Sequence, residues 1–266
     1  MWDTLIIEPM VNVLLWIYSA VGGNFGLAII LFTILMRLLT HPLMVQQIKG
    51  ATAMQNLQTN EKYIALQKKY KDDKEKLAQE QMKLYQELGI NPFASCLPTL
   101  IQLPIIFGLY QVVTRAMAVT PMQLADLSGL LYPFIDFGDL IPLNTKFMWM
   151  ENLSQPERLY IFGFGLPVLA ILVVITTYLQ QKLMAMPTSN PNDPSAQTMQ
   201  SMNTIMPLMM GYFSYSYAAG LALYFVASNL TTVVQYAALG KVNWNNILPS
   251  NLFPSKASAK PTKKKS

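Results

Sequence analysis

The stretch "LFTILMRLLTHPL", residues 31–43, has the composition of a membrane-spanning helix except at Arg37. A helix crosses the hydrocarbon core of a bilayer with about 20 mostly apolar residues. Arginine stays charged at physiological pH, and at the bilayer centre it costs about 2.5–3.5 kcal/mol on insertion scales. Arg37 therefore either extends its long side chain to the nearer membrane surface or lies in a polar environment inside the protein.

The composition of the whole chain favours a membrane protein. Of 266 residues, 52% are hydrophobic and 12% charged, about half the charged share of a typical soluble domain. The single cysteine, Cys96, and the single histidine, His41, allow neither an intrachain disulfide nor a Cys/His metal cluster. The sequence contains no GxSxG, HExxH or Walker motif, so we expect neither an enzyme nor a bound cofactor.

Five apolar runs set the predicted organisation, an all-α membrane protein with five transmembrane helices. The predicted segments are an N-terminal interfacial helix at 1–23, spans at 24–46, 92–119, 158–184, 198–217 and 218–240, a helical hairpin at 47–91, loops at 120–157 and 185–197, and a basic tail at 241–266. Lysine and arginine concentrate in the hairpin and the tail. By the positive-inside rule these segments are cytoplasmic, the loop at 120–157 is external, and the N-terminus lies outside.

The segments outside the spans carry local signals of their own. Trp2, Trp16 and Tyr18 are typical anchors of a helix that lies along a membrane surface. In the hairpin we predict helices over 46–70 and 73–88, the second beginning at a capping box formed by Asp72 and Glu75. An apolar stripe on the second helix, which includes Leu77, Leu84, Tyr85 and Leu88, would pack on the first.

Polar residues in several spans favour a wet cavity around Arg37. Thr33 lies one helical turn before it, Gln102 is in the second span, and no acidic residue lies inside any span. Residues at 3–4 spacing give the fifth span a polar stripe: Tyr224, Ser228, Thr231, Thr232 and Gln235. Such a stripe can also be ordinary interhelical hydrogen bonding in a membrane scaffold. Because Arg37 lacks a fixed counter-ion, water and neutral hydrogen-bond partners must stabilise it.

The fourth span, "MNTIMPLMMGYFSYSY" at 202–217, has the opposite character. Methionine side chains form adaptable surfaces for varied apolar partners, although they also fill irregular gaps in a bundle. The stretch is short for a full span, which suggests local thinning of the bilayer. In the third span, "FGFG" at 162–165 is interpreted as a site of close helix packing.

Four motifs together resemble one family of membrane proteins. They are "NPFASCLPTLIQLPIIFGLY" at 91–110, "AAGLALYFVASNLTTVVQ" at 218–235, Thr33-x-x-x-Arg37, and Met206-Pro207. The chain resembles the YidC/Oxa/Alb-type membrane protein insertases, in a short form without the large external domain. Phe225 departs from the second tyrosine that many relatives have after Tyr224.

The resemblance implies a core of five helices around a hydrophilic groove that is open to the cytoplasm and to lipid and closed to the outside. The groove residues it implies are Arg37, Thr33, Gln102, Tyr224, Ser228, Thr232 and Gln235. A second set is implied to form an apolar slide for client helices: Leu103, Pro104, Ile106, Phe107, Met206, Met209, Met210 and Phe213.

The function implied is insertion of client proteins into the membrane without nucleotide. Polar client tails would cross in the groove, and apolar client segments would pass into lipid. Candidate partners are nascent membrane proteins, the ribosome through the hairpin and the basic tail, the Sec translocon, the signal recognition particle with its receptor, and anionic lipid. The implied location is the bacterial inner membrane, with the thylakoid membrane as an alternative. The competing hypothesis is a small-solute carrier or channel that uses Arg37 as an anion site.

Overall fold

The computed structural model describes residues 3–58, 60–70, 73–90, 97–116, 121–132, 143–161, 164–184, 194–242 and 244, and these are mostly helical. A π-helical turn (Asp3–Ile7) leads into α1 (Glu8–Ala20). The other elements in chain order are α2 (Phe25–Leu39), α3 (His41–Gln58), α4 (Glu61–Lys69), α5 (Lys74–Glu87), α6 (Leu97–Ala116), α7 (Pro121–Ser128), β1 (Leu159–Ile161), β2 (Phe164–Leu166), α8 (Val168–Met184), α9 (Pro194–Ser216) and α10 (Ala219–Ala238).

Helix α1 is part of the helical bundle. Its face with Val11, Leu14 and Leu15 is buried in the main core, packed on α2 and α6. Trp16 is 62% exposed, as an anchor at a membrane surface requires. The prediction for Tyr18 is wrong, since its ring is buried and its hydroxyl accepts a hydrogen bond from the Asn144 backbone N–H at 2.8 Å. Trp2 lies outside the described residues.

The first predicted span, 24–46, is broken at Thr40. Helices α2 and α3 meet there at an angle of 58°. Pro42 has no N–H that could continue the hydrogen bonds of α2, and the Thr40 hydroxyl donates to the carbonyl of Met36 at 2.8 Å, in the last turn of α2. Arg37 therefore lies in the last turn of α2 rather than inside a continuous helix, at the end where the chain leaves for the hairpin. This end of the bundle is called the hairpin end below.

The predicted helix over 46–70 is divided into α3 and α4. The Asn60 side chain caps α4 by accepting from the Lys62 backbone N–H at 2.9 Å, which gives the backbone an alternative to a continuous helix. The cap of α5 is Asp73, which accepts from the Lys76 N–H at 3.1 Å, one residue beyond the predicted Asp72. Asp72 itself is not among the described residues.

The helices of the hairpin pack through a small apolar cluster. Leu57, Tyr63 and Leu84 are its buried members, and Tyr85 is partly buried against them. Leu77 is also buried, as the stripe predicts, whereas Leu88 is 40% exposed because it caps the end of α5 beyond the cluster.

The third predicted span, 158–184, begins too early. Strands β1 and β2 form an antiparallel hairpin over its first residues, with Leu159 opposite Leu166 and Ile161 opposite Phe164. Pro167 follows and cannot donate to a strand, so the helix starts only at Val168.

The "FGFG" motif, interpreted from the sequence as helix packing, does not lie in a helix where the structure describes it. Its last two residues, Phe164 and Gly165, belong to β2, so the interpretation is wrong for them. Its first two residues lie outside the described part of the chain. The predicted loop at 120–157 also contains α7, which the sequence did not suggest.

The fourth predicted span, 198–217, begins too late. Helix α9 starts at Pro194 and has 23 residues, so at 1.5 Å per residue it is about 34 Å long. The residues before 202 that it adds are mostly polar, so local thinning of the bilayer stays a prediction. By length and composition α10 can cross a membrane, and the bent pair of α2 and α3 would be a second span. Helix α8 is apolar but has 17 residues. The count of five spans stays a prediction.

The bundle is closed at the end where α10 begins, which is called the loop end. Leu153 and Met150 of the loop before β1 are buried in the main core. The carbonyls of Leu153 and Gln155 accept from the Gly220 and Ala219 N–H groups, each at 2.8 Å, and so cap α10. Phe147 packs so closely on α2 that a Cβ added at Gly26 would lie 2.2 Å from its ring.

The same loop also caps α8. The buried carboxylate of Glu157 accepts from the Leu169 backbone N–H at 3.0 Å and from the Trp149 indole N–H at 2.9 Å. Residues 147–157 therefore hold the first turns of α8 and α10 together, and they are called the cap segment below.

Candidate functional site

A cavity of about 690 Å³ lies between α2, α3, α6, α8, α9 and α10. Helix α10 supplies its polar side, and α6 and α9 supply an apolar side. Helix α3 borders the hairpin end through Leu43, Met44 and Gln47, because the bend at Thr40 turns it across this end of the bundle. The predicted groove and the predicted slide are thus two walls of one cavity.

Arg37 lies in this cavity with a single hydroxyl as its side-chain partner among the described residues. Its Nε donates to Ser228 Oγ at 3.0 Å, and its Nη2 donates to the same oxygen. Within the described ranges, no carboxylate forms an ion pair with the guanidinium. One hydroxyl oxygen cannot satisfy the five N–H donors of arginine, so the site has unused capacity for an anionic or polar ligand or for water.

The polar wall includes some predicted groove residues and excludes others. Tyr224, Ser228 and Thr232 line the cavity beside Arg37. Thr33 does not, because its hydroxyl donates to the carbonyl of Ile29 in the same helix at 2.6 Å and the residue is fully buried. Gln235 is also outside the lining. Its side-chain amide donates to the backbone carbonyl of Arg37 at 2.9 Å. The structure thus gives Gln235 a role in holding the last turn of α2.

The apolar wall contains most of the predicted slide. Its members on α6 are Ile106 and Phe107, and those on α9 are Met206, Met209, Met210 and Phe213. Phe107 is 57% exposed and Met209 is 44% exposed, so this wall also faces the outside of the bundle. Pro104 is not in the lining. The side chains of Gln102 and Leu103 lie outside the described part of the chain.

Several lining residues were not predicted. Gln111, Thr177, Asn229 and Tyr236 add polar groups, and Tyr110 and Tyr217 add aromatic rings. Asn229 donates to the hydroxyls of Thr176 at 3.1 Å and Thr177 at 2.9 Å, which joins α10 to α8. Two signals for this contact were available in the sequence: the threonine pair on α8, and the helical spacing that puts Asn229 three residues before Thr232.

Lys83 and Glu80 form a local ion pair on the hairpin. On α5, a hydrogen bond and the negative charge of Glu80 raise the pKa of Lys83 above its usual value, with Nζ 2.5 Å from Oε1. Both side chains are on the hairpin surface. In the part of the chain that the structure describes, no cluster of His, Cys, Asp or Glu is suited to hold a metal ion.

Comparisons with known proteins identify the family to which this chain belongs. The family model "60Kd inner membrane protein" matches residues 16–245. The membrane protein insertase MisCA of Bacillus subtilis is 34% identical over 236 residues, which cover 88% of this chain and 77% of the relative. The chain belongs to the YidC family of membrane protein insertases. Membrane protein insertase YidC 2 of Listeria innocua is 36% identical over 238 residues, 88% of this chain and 70% of its own length.

A solved YidC structure has the same fold. The crystal structure of an active YidC insertase with its first transmembrane domain resolved aligns with a TM-score of 0.58 and 25% identity. The alignment covers 89% of this chain and 47% of the YidC chain, so this chain spans about half of that protein. The YidC family is a family of insertases rather than a class of enzymes, and these relatives give no support to the carrier or channel hypothesis.

Proposed function

We propose that this chain inserts client membrane proteins by solvating their polar and apolar parts on opposite walls of one cavity. A client's polar tail enters beside Arg37, while the client's apolar segment lies along α6 and α9 and leaves into lipid. The observation that carries the proposal is a cationic side chain without a carboxylate partner, among the described residues, across a cavity from an exposed apolar wall. No nucleotide takes part.

The driving free energy comes from the apolar segment. Its transfer into lipid releases about 25 cal/mol per Å² of apolar surface removed from water. The polar tail avoids the cost of bare hydrocarbon, several kcal/mol for each unpaired polar group, because water in the cavity and Arg37 solvate it. A membrane potential that is positive outside adds about 2.3 kcal/mol per 100 mV for each acidic residue that crosses.

The proposal includes a topology and a set of partners. The N-terminus and the loop end are outside, the hairpin and the tail are in the cytoplasm, and five helices span the membrane: α2, α6, α8, α9 and α10. Clients are nascent membrane proteins. Exposed lysines on α4, including Lys68 and Lys69, supply basic surface for the ribosome, the signal recognition particle with its receptor, or anionic lipid. Cooperation with the Sec translocon is part of the same proposal.

Reconstitution tests the role of Arg37. The purified protein is placed in liposomes with an imposed potential, and a short client with an acidic N-terminal tail is added. Protection of the client from protease reports insertion. Arg37→Glu should abolish protection of this client, because the site then repels its tail, while Arg37→Lys should retain part of it. A matched client with glutamine and asparagine in place of its acids isolates the charge effect.

Folding must be separated from function in this experiment. Thermal unfolding in detergent shows whether each variant keeps the fold, and binding of client to detergent-solubilised protein shows whether the cavity still accepts it. Normal insertion of the acidic client by folded Arg37→Glu protein would contradict the proposal. A folded wild-type protein that gives no protection above empty liposomes would contradict it as well.

A further inference from the structure

The two helices that form the apolar wall of the cavity, α6 and α9, belong to different parts of the bundle. Helix α9 is fixed on α8, because a Cβ added at Gly211 would lie 2.3 Å from Val174 Cγ2. Helix α6 is fixed on the N-terminal segment, because a Cβ added at Gly108 would lie 2.9 Å from the sulfur of Met10. Within the described residues the backbones of α6 and α9 scarcely approach each other. They therefore face each other across a lateral opening.

Helices α6 and α9 can both bend. Pro104 lies inside α6 and Pro207 lies inside α9. A proline inside a helix removes one backbone hydrogen bond and weakens the turn before it. Helices α2, α8 and α10 have no internal proline, so the helices on the two sides of the opening are those with the weakened turns.

A pair of aromatic rings bridges the opening. The rings of Tyr110 on α6 and Tyr217, just after α9, are 5.5 Å apart between centroids with an interplanar angle of 83°, the favourable edge-to-face geometry. Phe213 supports the pair, with its ring 5.9 Å from that of Tyr217. Both tyrosines line the cavity, together with Leu221 near the start of α10. The bridge thus lies toward the loop end.

We propose that the Tyr110–Tyr217 pair is a lateral latch, which a client helix must separate before it passes from the cavity into lipid. The inference rests on the proposed insertase function and adds a positioning role for two residues. The pair holds α6 and α9 together at the loop end and leaves the opening between them wider toward Arg37. A client helix enters between α6 and α9 near Arg37 and displaces the two rings as it advances.

A reversible cross-link tests the latch. Cys96→Ser removes the native thiol, and Tyr110→Cys with Tyr217→Cys places thiols on both sides of the opening for a short bis-methanethiosulfonate reagent. The cross-linked protein should bind client in its cavity but give no protease protection in liposomes, and reductant should restore protection. The control is Leu208→Cys with Tyr212→Cys, one turn apart on α9 and outside the cavity lining. The same reagent there should leave insertion unchanged.

A second measurement follows the opening without a cross-link. Spin labels at Thr114 on α6 and Tyr212 on α9, both exposed, report the distance across the opening. A client stalled in the cavity should lengthen this distance, and Tyr110→Leu should raise the open fraction by about two- to tenfold, as expected for loss of one aromatic pair.

The outcomes separate the latch from the insertase function. If the Cys96→Ser parent inserts clients and the cross-linked Tyr110/Tyr217 protein inserts them equally fast, the latch is wrong and the function stands. If the parent itself inserts no client, the function fails. If the double-cysteine protein stays inactive after reduction, the spin-label distance decides, and a distance that does not change with client overturns the latch.

Discussion

Replacing Ser228 by alanine tests whether water fills the cavity around Arg37. Ser228 Oγ accepts from both Nε, at 3.0 Å, and Nη2 of the guanidinium, and the serine is only 3% exposed. The change removes this acceptor and leaves the backbone of α10 unaltered. The decrease in the free energy of unfolding depends on whether another group can accept hydrogen bonds from the guanidinium in place of the hydroxyl.

A dry site and a hydrated site predict different losses of the free energy of unfolding. A hydrogen bond to a charged group contributes about 1.5–3 kcal/mol, and leaving a buried charged donor unpaired costs at least as much. In a dry site Ser228→Ala would therefore lower the free energy of unfolding by about 3 kcal/mol. In a hydrated cavity a water molecule accepts from the guanidinium, and the loss should be below about 1 kcal/mol. Because the proposed function needs water in the cavity, we expect the smaller loss.

Unfolding in mixed detergent micelles measures this difference. The reference is Asn12→Ala at the loop end, away from the cavity, where the 2% exposed side chain donates to the Leu130 carbonyl at 2.8 Å and accepts from the Tyr132 N–H at 2.9 Å. Loss of these bonds should cost about 1–3 kcal/mol. If Ser228→Ala destabilises the protein as much as the reference or more, the Arg37 site is dry and the proposed route for polar tails is refuted.

Two predictions concern the cap segment. Gly26→Ala should destabilise the protein by about 1–3 kcal/mol, because its Cβ would lie 2.2 Å from the Phe147 ring; Phe147→Ala in the same chain should recover part of this loss in a double-mutant cycle, and simple additivity would contradict the contact. Glu157→Ala should cost about 2 kcal/mol or more by leaving the Trp149 and Leu169 N–H groups without their acceptor, whereas Glu157→Gln, which keeps one oxygen, should cost less. Thermal unfolding followed by tryptophan fluorescence measures both Glu157 variants, and equal stability of the two would contradict the assigned roles.

Helix α10 was the most predictable part of the fold. Its polar stripe has helical spacing, and only Tyr217 and Ala218 separate it from α9, which leaves little freedom in the chain path. The walls of the cavity follow from the same periodicity, which places Ser228 and Thr232 on one face. Thr33 shows the limit of such reasoning. Helical spacing puts it on the face of Arg37, but a threonine hydroxyl can always reach the carbonyl four residues earlier in its own helix.

Helix ends were less predictable because apolar runs do not mark them. The residues of β1 and β2 are as apolar as those of α8, and only Pro167 signals where the helix starts. The bend at Thr40 had a signal in Pro42, which the long apolar run on both sides concealed. Tyr110 and Tyr217 are far apart in the chain, and no local pattern predicts that their rings meet.

The cap segment holds α10 through main-chain oxygens, those of Leu153 and Gln155. A carbonyl is present whatever side chain a residue carries, so substitutions at Gln155, which is exposed, leave this attachment intact. Glu157 is different, since its attachment to α8 depends on a carboxylate. Mutational scanning of this loop should therefore find that Gln155 tolerates substitution and that Glu157, two residues later, does not. Gln155 is accordingly a suitable place to attach a fluorophore or an affinity tag.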